Sequence, residues 1–186
     1  MRIIAGEFKG RKLQSLKGDN TRPTSDKVKG SIFNRIGPYF DGGTCLDLYS
    51  GSGNLAIEAV SRGIDKAYCF DNHYAAVKII QENINLTKQN TSFVVKKMED
   101  KVALSYLSQA GVSFDLVFLD PPYAKEKLNQ ILLDLQELAL LNDGADVICE
   151  MDKHVLLPEE IDNLYLKKDQ VYGATRIMIF RYLKEA

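Results

Sequence analysis

This chain holds little material for metal or disulfide chemistry. Only three cysteines and two histidines occur among 186 residues. Cys45, Cys69 and Cys149 each fall inside an apolar, strand-like run, as small core residues of a reducing compartment do. No pair of cysteines has ligand spacing. His73 and His154 have no Cys or His neighbour at such spacing either, so no metal centre is expected. Long apolar runs are missing too: none approaches the roughly 20 residues of a membrane-spanning helix. The opening residues, Met1-Arg2-Ile3-Ile4-Ala5-Gly6-Glu7, lack the apolar core of a signal peptide. Together these absences predict a cytoplasmic protein without a membrane partner. No internal repeat and no low-complexity stretch is present.

What is there is the material of one ordinary globular domain with a small appendage: 45% hydrophobic and 26% charged residues. The net charge of −1 conceals a split. Residues 1–36 carry nine Lys and Arg against three Asp and Glu, a net of +6, and the remainder carries a net of −7. A basic arm on an acidic body suits a polyanionic partner approaching from one side.

From residue 44 onward, short apolar runs alternate with helical patterns. Strands are expected over 44–49, 66–70, 92–96, 114–119 and 145–150, with helices over 54–62, 74–86, 99–109 and 125–140. In the second of these helices Val77, Ile80 and Ile84 share a face. This alternation implies a parallel sheet covered on both faces, with every strand's carboxyl end on the edge where ligands of α/β sheets bind. Residues 164–172 and 174–183 read as a closing antiparallel hairpin. At the other end, residues 1–16 read as a small β-hairpin, and residues 1–20 are taken as a basic extension ahead of a main domain over 21–186. A helix over 25–36 has Val28, Ile32, Phe33 and Ile36 on one side and Thr24 or Ser25 as its N-cap. Lys27 and Lys29 are read as ordinary solvated residues, and Arg35 as a helix-end cation.

The first core strand runs into Asp47-Leu48-Tyr49-Ser50-Gly51-Ser52-Gly53-Asn54. Gly51 and Gly53 allow a tight turn and close approach of a ligand to the backbone. The helix that opens near Asn54 presents bare N–H groups to an anionic group. Asp71, ending the next strand, is placed to accept both hydroxyls of a ribose. A dinucleotide site has a similar skeleton. Asp47, however, would repel a pyrophosphate, whereas it suits the ammonium of an amino-acid tail. S-adenosylmethionine carries an ammonium, a carboxylate and a ribose, and no phosphate.

Asp120-Pro121-Pro122-Tyr123 follows the strand over 114–119. Two prolines stop the ladder and fix an extended, kinked backbone. They hold an acid and an aromatic ring at a strand's carboxyl edge. An acid acceptor, carbonyl acceptors and a flat ring suit a planar amine. Asp120 ends the strand expected beside the first core strand, so cofactor and amine would be neighbours. Glycine loop, ribose acid and acid-Pro-Pro-aromatic, in this order, form a signature of amino-methyltransferases.

With these residues in view, the chain resembles the RsmD-type family of 16S rRNA guanine-N2 methyltransferases. The likeness is carried by Gly6, Gly10-Arg11-Lys12-Leu13, Arg22-Pro23-Thr24 with Asp26 and Val28, and Phe33-Asn34. It continues in Gly51-Ser52-Gly53, Glu58-Ala59, Ser61-Arg62-Gly63 and the tetrapeptide at 120–123. The resemblance implies a seven-stranded, mostly parallel Rossmann-like class I methyltransferase sheet with a C-terminal antiparallel hairpin and a short N-terminal β extension. It further implies S-adenosylmethionine as cofactor and a monomer acting on 16S rRNA within small-subunit particles. Tyr49-Ser50 stands where many members have Phe-Ala, beside the cofactor loop. The acid meeting the adenine amine is Glu99 or Asp100, with Glu99 the better match, and Asn72 flanks that ring.

The expected chemistry has Asp120 and the Pro121 carbonyl accepting the two N–H bonds of the amine, with Tyr123 stacking on the flipped-out base. Lys9, Arg11, Lys12 and Arg22 are expected on RNA phosphates, and Thr24 near the rim of the site. Adenine N6 or a protein glutamine amide is the nearest alternative substrate. A nicotinamide-dependent oxidoreductase and a non-catalytic RNA-binding module are alternatives of other classes.

Overall fold

In the computed structural model the described residues, 1–17 and 24–185, fall into two compact units, residues 1–100 and 101–186. The first unit opens with a hairpin. Arg2 bridges antiparallel to Lys12, and backbone bonds join Ile3 to Arg11, Gly10 to Ile3 and Leu13 to Met1. Ile3, Phe8 and Leu13 are its buried residues. After it come α1 (Asp26–Ile36), β1 (Thr44–Asp47), α2 (Asn54–Ser61), β2 (Lys66–Asp71), α3 (Tyr74–Thr87), a 3-10 turn (Asn90–Ser92) and β3 (Phe93–Lys97). The strands are parallel in the order β3-β2-β1, with Cys45 opposite Ala67 and Tyr68 opposite Val94. Their carboxyl ends therefore share one edge, which carries Asp47, Asp71 and Met98-Glu99. The cysteines sit in the core, and burial, foremost, pushes all three thiols well above their ordinary range.

The second unit contains α4 (Asp100–Gln109), entered from the last residue of the first unit, then β4 (Phe114–Leu119), α5 (Ala124–Glu137), β5 (Leu141–Asp152), β6 (Glu160–Ile161), β7 (Leu164–Tyr172) and β8 (Thr175–Tyr182). Strand order here is β4-β5-β8-β7-β6. β4 and β5 are parallel, and the rest of the unit is antiparallel. Eight strands are present among the described residues where seven were expected. The additional one, β6, is a two-residue pairing against the start of β7.

Other differences have local causes. β5 starts four residues early because Asn142-Asp143-Gly144 is absorbed as a bulge opposite β4. Ser113 and Asp115 hold the Asn142 side chain there, at 2.6 and 3.0 Å. α5 ends before Leu140 because Ala139 takes a left-handed conformation (φ 56°), and Leu140 N–H then turns back to the Leu135 carbonyl. Of the two N-cap candidates for α1, Ser25 accepts from Val28 N–H at 3.2 Å.

Lys29 is the clearest departure from the sequence reading. It is not solvated: its side chain is 0% exposed and forms an ion pair at 3.1 Å with Glu58, also 0% exposed. Its ammonium donates to the Arg2 carbonyl, the Asn54 side-chain oxygen and Glu58, so every proton has an acceptor. Glu58 is saturated in turn. One oxygen takes Ile4 N–H and Lys29, and the other takes Ala5 N–H and Arg62 Nε. The Arg62 guanidinium also lies over the Phe33 ring at 4.8 Å. Burial lowers the Lys29 pKa, and the Glu58 carboxylate opposes that shift. This cluster fastens the hairpin and α1 onto α2. Close approach at the dock explains Gly6 (φ 90°), where a Cβ would stand 1.9 Å from the Ser61 carbonyl oxygen.

Candidate active site

In the first unit, β1 ends in Asp47, which is 3% exposed. The Ser50 hydroxyl donates to the Asp47 carboxylate at 3.2 Å, and Ser50 N–H donates to the Phe70 carbonyl at 2.8 Å. These bonds turn the chain back across the end of β2. Gly51 N–H then reaches the Asp71 carboxylate at 3.0 Å. The other Asp71 oxygen accepts His73 N–H at 3.0 Å. The His73 ring Nδ1 lies 3.3 Å from that same oxygen, so the oxygen facing Gly51 is the one that keeps lone-pair capacity for a further donor. Gly53 N-caps α2 in a left-handed conformation (φ 81°), where a Cβ would press on Ile57 and Ile80 at 3.3 and 3.4 Å. At Gly51 a Cβ would meet nothing within 4 Å, so the outer side of the turn is open. An open glycine turn between two strand-end carboxylates fits an amino-acid tail and a ribose.

The flanking residues divide by role. The Tyr49 hydroxyl donates to the Asp100 carboxylate at 2.7 Å. Burial first, and this bond second, raise the pKa of that hydroxyl well above its ordinary value. Asp100 is therefore engaged by Tyr49 at the start of α4. Glu99 is exposed on the same sheet edge as Asp71, whose carbonyl accepts Met98 N–H at 3.1 Å. Asn72 is exposed and Ser52 half-buried. The Asn54 side chain is buried, with its oxygen on Lys29 and its Nδ2 without a hydrogen-bond partner.

In the second unit, β4 delivers Asp120 to its carboxyl end, exposed. Pro121 is buried, Pro122 is exposed, and Tyr123 is 69% exposed. Tyr123 precedes α5, and its carbonyl accepts Glu126 and Lys127 N–H groups at 3.2 Å. The ring is thus carried on a helix start, with its face open to solvent.

Among the basic candidates, Lys9 and Lys12 are exposed on the hairpin. Arg11 is exposed but tied down: it donates to the Leu86 carbonyl at 2.7 Å and stands over the Phe8 ring. Thr24 is half-buried. Arg22 lies outside the described residues. Among the described residues no cluster of His, Cys, Asp and Glu could hold a metal ion, and no helix is long and apolar enough to cross a membrane.

Sequence reasoning missed Lys29, Glu58 and Asn83 as structural polar groups. Asn83 had a readable signal: it falls on the buried stripe of α3 with Ile80, Ile84 and Thr87.

The chain belongs to the family described as Conserved hypothetical protein 95, the RsmD family, whose model matches residues 1–181. A Bacillus subtilis relative named "Putative rRNA methyltransferase YlbH" is 39% identical over 97% of this chain and 98% of its own length. Ribosomal RNA small subunit methyltransferase D of Escherichia coli is 30% identical over 97% of this chain and 89% of its own. A solved Escherichia coli structure titled "Putative methyltransferase yhhF" superimposes with a TM-score of 0.84 at 28% identity, covering 100% of this chain and 99% of that one. The α/β, Rossmann-like methyltransferase fold read from the sequence is that of this family.

Proposed function

We propose that this chain transfers the methyl group of S-adenosylmethionine to the exocyclic N2 amine of a guanine in 16S rRNA, acting as a monomer on a small-subunit particle. The observation that carries the reading is the open turn at Gly51 between the Asp47 and Asp71 carboxylates. It offers acids to an ammonium and a ribose, and it would repel a pyrophosphate. The names of the curated relatives, rRNA and small-subunit methyltransferases, support the substrate class.

In this reading Asp47 holds the ammonium of the amino-acid tail and Asp71 the ribose hydroxyls. Glu99 meets the adenine amine and Asn72 flanks it. Tyr49, Ser50, Ser52, Gly53 and Asn54 shape the cradle. When bound, the cofactor supplies an electrophilic sulfonium methyl. Asp120 and the Pro121 carbonyl accept hydrogen bonds from the two amine N–H groups, which frees a lone pair otherwise delocalised into the ring, and the proton that the methylated amine gives up passes to Asp120 or to water. Pro122 fixes the bend, and Tyr123 stacks on the extruded base, a contact worth about 1–3 kcal/mol. Residues 1–20 serve as the basic RNA-facing extension of the catalytic domain, residues 21–186.

Calorimetry should give saturable 1:1 binding of S-adenosylhomocysteine and none of NAD. A labelled-methyl assay should then mark small subunits lacking the modification and leave DNA and protein controls blank. NAD binding, or label on adenine N6 or glutamine, would defeat the reading. If Lys9 and Lys12 meet phosphates, RNA affinity should fall with salt by about 0.7 log units per contact per decade. The double variant Lys9→Ala, Lys12→Ala should lose roughly twice that from the slope. An unchanged slope would remove the hairpin from the RNA interface.

A further inference from the structure

Asn83 has no role in the chemistry above, yet its side chain is fully buried and fully used. Its oxygen accepts Gln14 N–H at 2.8 Å, and its amide donates to the Gln14 carbonyl at 2.9 Å and the Ser52 carbonyl at 2.8 Å. The bond pair to Gln14 treats the N-terminal segment as a neighbouring strand. The third bond grips the middle residue of the glycine turn. The same segment meets the same turn at two further points. The Ser52 hydroxyl lies 3.6 Å from the Met1 sulfur, and Lys29 spans the Arg2 carbonyl and the Asn54 side chain. Within the turn the Ser52–Gly53 peptide is held by Gly53 N–H on the Ser50 carbonyl at 2.8 Å, and Gly51 and Gly53 add no side-chain restraint. Without Asn83 that peptide would lose the anchor on its carbonyl side and keep the one on its Gly53 N–H side.

We propose that Asn83 is a positioning residue that clamps the cofactor turn to the N-terminal hairpin, so that the two behave as one element. The clamp holds the Ser52–Gly53 peptide in the orientation that directs Gly53 N–H to the Ser50 carbonyl, and so steadies the turn that Gly51 N–H ties to Asp71. Its consequence for ligand binding rests on the methyltransferase reading above. A polyanion seated on the hairpin stabilises the turn, and a ligand seated on the turn stabilises the hairpin, with equal coupling in both directions.

The test compares Asn83→Ala with Ser61→Ala. Ser61 also anchors the hairpin, through Phe8 N–H and the Ala5 carbonyl, but makes no bond to the turn. Loss of the clamp removes the bond to the carbonyl of half-buried Ser52, so exchange of the Gly53 amide on the same peptide should quicken about tenfold in Asn83→Ala, with Gly51 following to a smaller extent. In Ser61→Ala it should stay near the parent rate, whatever either variant does to the melting temperature. S-adenosylhomocysteine affinity should fall about tenfold in the first variant alone, at unchanged stoichiometry. Should Asn83→Ala fail to fold, Asn83→Ser, too short to bridge both partners, takes its place. Equal exchange in the Asn83 and Ser61 variants, or no change at Gly51 and Gly53, overturns the proposal. A parent protein that binds no S-adenosylhomocysteine would instead defeat the methyltransferase reading, and the exchange comparison would still decide the clamp.

Discussion

Replacing Asp120 with alanine should cut turnover by roughly a hundredfold or more while S-adenosylhomocysteine binds as before. The exocyclic amine of guanine is a weak nucleophile because its lone pair belongs to the ring. Hydrogen bonding from both N–H groups to fixed acceptors restores that lone pair, and acceptors help most when they need no rearrangement. Asp120 meets this condition through its neighbours. β4 is buried along its last four residues, Pro121 is buried, and the next helix starts at Ala124. The carboxylate therefore stands on a short, doubly braced corner, and its loss should appear in kcat. Single-turnover methylation with the variant at saturating cofactor measures this directly. Near-parental turnover would remove Asp120 from the chemistry. Asp120→Asn should sit between the two, because an amide oxygen still accepts one N–H while the charge is gone.

Glu58→Gln should strongly destabilise the first unit. The carboxylate is 0% exposed and faces two buried cations, Lys29 and Arg62. Removing one member of a buried ion pair typically costs about 3–5 kcal/mol, because the remaining charge has no solvent to turn to. For a chain of this size that corresponds to a melting-point fall on the order of 10 °C. The amide brings a second penalty: its NH2 would face a donor, whichever oxygen it replaces, since both oxygens already accept N–H groups. Adding Lys29→Met to the variant should return part of the loss, because it removes an orphaned charge. Thermal unfolding of the parent, both single variants and the double variant measures the coupling. Additive losses would mean that the pair contributes nothing beyond its separate side chains.

Periodicity and strand-stop chemistry made most of the fold legible. The strand over 114–119 ends at Leu119 because two prolines follow, and the helices after Gly53 and His73 begin where the apolar pattern changes period. The candidate site was legible because its parts are local: Asp47 and Gly51 lie within one loop, and Asp120 and Tyr123 within one corner. What escaped was long-range. Lys29 looks like a solvated helix lysine until Glu58 and Asn54, more than 20 residues away, supply its acceptors. Asn142-Asp143-Gly144 lies outside the strand expected from 145, and only the pairing with β4 draws it in as a bulge. The tie between Arg11 and the Leu86 carbonyl, 75 residues apart, has no sequence signal and leaves Lys9 and Lys12 as the hairpin's untethered candidates for phosphate.

The dock between hairpin and α2 is read through main-chain groups. Glu58 accepts the amides of Ile4 and Ala5, and Ser61 takes the amide of Phe8 and donates to the carbonyl of Ala5. Any residue except proline supplies those amides. The outward identity of the segment can therefore drift while its attachment survives. Position 58 carries two of those attachments at once, on the two oxygens of one carboxylate.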